Sequence, residues 1–248
     1  MTAEEDALFG LPCAPPDATV PYGPHPSQVI DLHLPAGPPA GIRVTLLHGG
    51  FWREAYDRRH LAPLAAALAA RGIEVALAEY RRVGAGGGGG WPQTYEDAVR
   101  ATEVRGSGPA RHVLVGHSAG GHLALCAASG GVGVDAVIAV APVADLARAR
   151  TLGLSGGAVE EFLGGGHHPE ADPVLRGPAR VPVTILHGTA DPDVPLELSR
   201  SYAAAAGSNV TLRVLQDTGH YAAVTPGTAA YEALLAALGR PSASPCPS

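Results

Sequence analysis

The chain has 248 residues, 17 Lys+Arg against 23 Asp+Glu, a formal charge of −6 and 46% hydrophobic residues. That length and apolar content suit one α/β domain with a large core, and the negative charge argues against a nucleic-acid binder, which needs a basic face. All 17 basic residues are arginine, which excludes Schiff-base catalysis, pyridoxal-phosphate attachment, a phosphate-loop lysine and a serine–lysine nucleophile pair.

Met1 to Asp6 is acidic where a secretory signal would be basic, and no apolar stretch follows it. Residues 1–27 are rich in Pro and acidic groups and predict an irregular arm. Apolar runs then predict strands at 29–34, 43–47, 74–78, 112–115, 136–140, 183–186 and 211–215. Helices are expected at 57–71, 94–105, 119–129, 196–206 and 227–238. Most strand candidates are unbroken Val/Ile/Leu runs, as strands buried on both faces require. The alternation predicts a single α/β domain over 28–240, a mostly parallel, doubly wound sheet with helices on both faces. Residues 142–180 interrupt the rhythm with two short helical segments near 145–150 and 159–163. They read as a small cap-like insertion, either a lid or an inert surface excursion. Residues 241–248 predict a disordered tail.

No apolar run is long enough to span a membrane, so a cytoplasmic protein without membrane or nucleic-acid partners is expected. Cys13, Cys126 and Cys246 are widely spaced and form no CxxC pair. They suggest neither a disulfide framework nor a zinc site, and no metal or other cofactor is expected. The expected partner is a small-molecule substrate; a homodimer is left open.

The chemistry concentrates at Gly116-His117-Ser118-Ala119-Gly120. An apolar strand runs into this G-x-S-x-G pattern and an Ala/Leu-rich helix runs out of it. The segment resembles the nucleophile elbow of the α/β-hydrolases, and the resemblance extends across 28–240. It implies that Ser118 sits on a strained turn at a helix N-terminus, with Gly116 and Gly120 needed for close packing. A serine hydroxyl needs a base to become a nucleophile, and in this fold the order is Ser, acid, His. The strand at 183–186 delivers Asp191, with Asp193 as the competing acid. His220 is the only histidine after them and is the candidate base. The class pattern His-Gly-x-x-Asp-x-x-Val-Pro, here 187–195, implies Asp191. His117, His122 and His187 read as hydrogen-bonded structure, and His167-His168 as a solvated loop rather than a metal site.

Donors for a developing oxyanion are expected from the Ala119 N–H and from His48-Gly49-Gly50-Phe51-Trp52 after the second predicted strand. This segment is similar to the His-Gly-Gly-X-Trp motif of the kynurenine formamidase (arylformamidase) group. That similarity implies Gly50 and Phe51 as oxyanion donors and hydrolysis of N-formyl-L-kynurenine to L-kynurenine and formate, a step of tryptophan catabolism. Phe51, Trp52 or Trp91 would then stack on the substrate ring, and Arg53, Arg81 or Arg82 would bind its carboxylate. A short-chain carboxylesterase of broad specificity shares the same catalytic set and is the alternative. A non-catalytic binding protein on the same fold is disfavoured by the complete Ser118, Asp191, His220 set. The run 84–90 satisfies G-x-G-x-x-G trivially, and no helix opens directly from it. It reads as a flexible loop bordering the pocket, with Trp91 as an aromatic wall.

Overall fold

Val, Ile, Leu and Ala dominate the segments that pair into the central sheet. The computed structural model describes residues 2–239 apart from 105, 107 and 109, so the tail expected over 241–248 lies outside the described residues. The strands are β1 (Ala18–Pro21), β2 (Val29–His33), β3 (Ile42–Leu47), β4 (Glu74–Ala78), β5 (Arg111–His117), β6 (Ala136–Val140), β7 (Val183–Gly188) and β8 (Val210–Leu215). They form one eight-stranded sheet in the order β1-β2-β4-β3-β5-β6-β7-β8. From β4 to β8 all neighbours are parallel, while β1 and β2 are antiparallel additions at one edge. Every residue of β3 and β6 is buried, as strands covered on both faces must be.

The helices are α1 (Ala3–Phe9), α2 (Ala62–Ala69), α3 (Gln93–Glu103), α4 (Ala119–Gly130), α5 (Leu146–Thr151), α6 (Ala158–Leu163), α7 (Leu196–Ala205) and α8 (Ala229–Leu238). Two apolar clusters divide them. Residues of α3, α4, α5, α6 and α7 share one cluster, including Leu123, Leu146, Phe162 and Leu198. Residues of α1, α2 and α8 share the other, including Leu8, Leu64 and Leu234. The doubly wound expectation therefore holds, and the loops that carry Ser118, Asp191 and His220 extend from the C-terminal ends of parallel strands, where such sheets bind ligands. Among the described residues no helix is long and apolar enough to cross a membrane.

The N-terminal arm departs from expectation. Residues 1–27 are not irregular throughout, because they carry α1 and β1. Thr2-Ala-Glu-Glu5 is a capping box: the Thr2 hydroxyl accepts the Glu5 N–H at 3.2 Å, and the Glu5 carboxylate accepts the Thr2 N–H at 2.6 Å. These bonds satisfy helix amides that otherwise lack partners. Leu8 anchors the helix in the core at 1% exposure. The helix expected at 57–71 is divided: Asp57 caps a 3-10 turn at Arg58–Leu61, and α2 follows it. The 142–180 insertion holds α5 and α6 and is anchored by buried Leu146, Phe162 and Ala171.

Candidate active site

β5 ends at His117, α4 starts at Ala119, and Ser118 between them has φ 55°, ψ −115°. Non-glycine residues rarely adopt positive φ, and such conformations persist where the surroundings enforce them. Here the Ser118 N–H donates to Val140 O at 2.8 Å, and its carbonyl accepts the His122 N–H at 3.0 Å. A Cβ on Gly116 would lie 2.2 Å from Gly120 O, and one on Gly120 would lie 2.4 Å from Leu47 O. The turn is therefore closed to any side chain at either glycine. Ser118 stands at the N-terminus of α4, where the helix dipole favours negative charge.

The loops after β7 and β8 bring Asp191 and His220 together. His220 Nδ1 donates to Asp191 Oδ2 at 2.7 Å. Asp191 Oδ1 accepts the N–H groups of Asp193 and Val194, each at 2.9 Å. Burial pushes the Asp191 carboxyl up, but hydrogen bonds from His187 and His220 outweigh it and hold it well below the usual carboxylate range. Asp193 also lines the cleft, yet burial raises its carboxyl and His220 Nδ1 bonds Asp191 instead. Of the two acids, Asp191 is therefore the one paired with His220. His117 adds a further tie by donating its Nε2–H to the His220 carbonyl at 3.0 Å. Burial, then the nearby His220, holds His117 well below the usual histidine value, so it acts as a neutral donor.

Behind the loop that follows β3 is a buried polar cluster. Gly50, Phe51 and Trp52 all have positive φ, at 105°, 48° and 60°. Among the described residues the Gly50 and Phe51 N–H groups meet no backbone acceptor, and Ala119 opens α4, whose first amides have none within the helix. His48 Nε2 bonds Glu79 Oε1 at 2.8 Å, and the Tyr80 hydroxyl donates to His48 O at 2.7 Å. Glu79 also accepts the Arg58 N–H at 3.0 Å and pairs with Arg82 at 3.2 Å. Burial pushes the Glu79 carboxyl up, but His48, Arg82 and the Arg58 amide outweigh it and hold it at about 2.

Ser118, His220, Gly50, Phe51, Tyr56 and Ser155 line one cleft of about 130 Å³. Phe9, Tyr56 and His60 also border an adjoining groove of about 470 Å³. The residues expected to bind a substrate ring and carboxylate largely lie elsewhere. Trp52 is fully buried, stacked on Phe162 at 4.3 Å and edge-on to His122; its positive φ carries the ring into the core between loop and insertion. Trp91 stacks on Tyr95 and donates Nε1–H to Glu170 at 3.0 Å, away from the cleft. Arg53 forks onto Glu161 at 2.7 and 3.0 Å and reaches Ser155 at 3.0 Å. Arg81 forks onto Asp97 at 2.8 and 2.7 Å. Arg82 donates to Tyr56 O and pairs with Glu79. All three guanidiniums are committed to acceptors within the protein. The glycine run is not a free border either: Gly89 N–H donates to Arg82 O at 3.0 Å, and Gly86 N–H to Glu54 at 3.3 Å.

Asp191, Asp193 and His220 place three ligand-type atoms within 4.8 Å of one another. Both Asp191 oxygens are already engaged, Oδ1 by two amides and Oδ2 by His220. Glu79, Glu4 and Phe9 lie near the site and were not among the expected site residues. Glu79 had a signal, since an acid ending an apolar parallel strand sits where sites form. Glu4 and Phe9 belong to the arm expected to be irregular, and the Thr2–Glu5 capping pattern is the one sequence signal that could have revealed their helix.

No family model matches the chain, and no curated protein matches its sequence. Solved structures do resemble it. A truncated carbohydrate esterase from gut microbiota is 18% identical, with a TM-score of 0.72, covering 90% of this chain and 95% of its own. Esterase B from Lactobacillus rhamnosis is 20% identical with a TM-score of 0.77, over 95% of this chain and 89% of its own. Esterase 2 from Thermogutta terrifontis, in its butyrate-bound structure, is 23% identical with a TM-score of 0.66, over 92% and 96%. The chain has the α/β-hydrolase fold.

Proposed function

We propose that the protein is a serine hydrolase that cleaves carboxylic esters of short acyl groups. One observation carries this reading: Ser118, held at φ 55°, shares a small cleft with His220, whose Nδ1 is fixed by Asp191. His220 Nε2 takes the Ser118 proton as Oγ attacks the ester carbonyl carbon. The N–H groups of Gly50, Phe51 and Ala119 stabilise the resulting oxyanion. Collapse breaks the bond to the alkoxy oxygen, and the alcohol leaves with the proton from His220. Water, activated by the same histidine, then cleaves the acyl–Ser118 ester and releases the carboxylic acid.

Three observations bear on the choice between the ester and the aryl formamide. The cleft at Ser118 holds about 130 Å³ and adjoins the groove of about 470 Å³, so its size limits the acyl group rather than the whole substrate. The fold neighbours are esterases, one of them with propionate or butyrate bound. Of the partners expected for a kynurenine side chain only Phe51 lines the cleft; Trp52 and Trp91 are engaged in the protein's own packing and Arg53, Arg81 and Arg82 in its ion pairs. The test is turnover of p-nitrophenyl acetate, butyrate and octanoate beside N-formylkynurenine. Acetate and butyrate should be cleaved, with the activity lost in Ser118→Ala. No ester turnover, or a preference for the formamide, would overturn the ester reading.

A further inference from the structure

We infer that Glu4, carried by the N-terminal helix, is a positioning residue for His220. Its role in turnover rests on the serine-hydrolase reading. The Glu4 carboxylate accepts three backbone N–H groups around the base: Gly219 at 2.8 Å, Tyr221 at 3.0 Å and Ala222 at 3.1 Å. Hydrogen bonds from N–H groups to a carboxylate are charge-assisted and about twice as strong as neutral ones. The loop has given up space for this contact, since a Cβ on Gly219 would fall 2.6 Å from Glu4 Oε2.

The remaining freedom of the base is removed by groups already described. Its ring nitrogen is held by Asp191 and its carbonyl by His117. Glu4 fixes the peptide units on either side, so backbone shifts that would swing the imidazole away from Ser118 are opposed. The register of Glu4 is itself set, by the Thr2–Glu5 capping box on one side and by buried Leu8 on the other. Phe9 extends the same helix to the cleft wall and meets Tyr221 edge-on, with ring centroids 5.9 Å apart. The plainer alternative is that Glu4 only caps the short turn Ala222–Val224 and adds stability.

The two roles separate experimentally. In Glu4→Gln and Glu4→Ala, kcat for p-nitrophenyl acetate should fall, by up to about 100-fold in Glu4→Ala, because a small misplacement of a reacting group costs that much. KM should stay within about threefold, since little ground-state binding is removed. In a His220→Ala background Glu4→Ala should cost nothing further, because its effect passes through the histidine. A readout independent of substrate is the low-field proton resonance of His220 Nδ1–H on Asp191, which should broaden or vanish in Glu4→Gln. Glu4→Gln keeps the size of the side chain and so serves if Glu4→Ala does not fold. Unchanged kcat with an unchanged resonance, or equal losses with and without His220, would overturn the proposal. If the parent cleaves no ester, the hydrolase reading fails alone, and the resonance still decides whether Glu4 positions His220.

Discussion

The imidazole of His48 and the carboxylate of Glu79 meet 2.8 Å apart in the interior, joining the end of β4 to the loop that carries Gly50 and Phe51. The loop therefore rests on a charged floor, and the stability of that floor depends on pH. Glu79 is held at about 2 against its ordinary 4.5. A lowered carboxylate contributes stability that is fully present above the unfolded value and is lost as pH falls through the folded one. The melting temperature should fall between pH 4.5 and about 2. Glu79→Gln should cost roughly 3–5 kcal/mol at neutral pH, because it leaves a buried cationic partner set uncompensated. It should also flatten the acid limb. Thermal unfolding followed across pH for both proteins checks this.

The two neighbouring aspartates should separate sharply in kinetics. Asp191→Asn removes the acceptor that fixes the His220 tautomer, and kcat should drop by about 10⁴-fold, the scale of such a change in a catalytic triad. Asp193→Asn should leave kcat within about tenfold, since Asp193 does not hold the ring nitrogen. Steady-state rates on p-nitrophenyl acetate decide it, and equal losses would move the acid's role.

Trp52 should matter for stability rather than for substrate. Its ring stacks on Phe162 with no exposed surface, so Trp52→Ala should cost about 3–5 kcal/mol from the cavity it leaves. Urea unfolding measures the cost. KM for short esters should hardly change in any variant that stays folded, in contrast to a ring that stacks on substrate.

Acyl length should be discriminated by the cleft itself. Acetyl and butyryl esters should be turned over faster than octanoyl esters, judged by kcat/KM along the p-nitrophenyl series. Phe51 lines that cleft, and Phe51→Ala should shift the preference toward longer chains.

The parts of this molecule legible from sequence share a physical cause. β6 is covered on both faces, so its unbroken apolar run announces itself without periodicity. The elbow is legible because Gly116 and Gly120 leave no room for a side chain. His220 is legible because chain order leaves one histidine. What sequence misplaced depended on direction or distance. Positive φ at Phe51 and Trp52 sends neighbouring rings to different places, Phe51 to the cleft and Trp52 to the core. Arg81 finds Asp97 and Arg53 finds Glu161, and only the fold reveals that these cations are already paired.

The hydrogen bond from Gly219 to Glu4 joins positions 215 apart in the chain. Contacts of such separation carry a large loop-closure cost, and folds rich in them fold slowly. A growing polypeptide holds the nucleophile elbow long before helix α1 has a loop to grip. A fragment that ends before β8 carries Ser118 in a partial sheet and lacks His220. On the proposed serine-hydrolase reading, the nucleophile is therefore laid down well before the base that activates it.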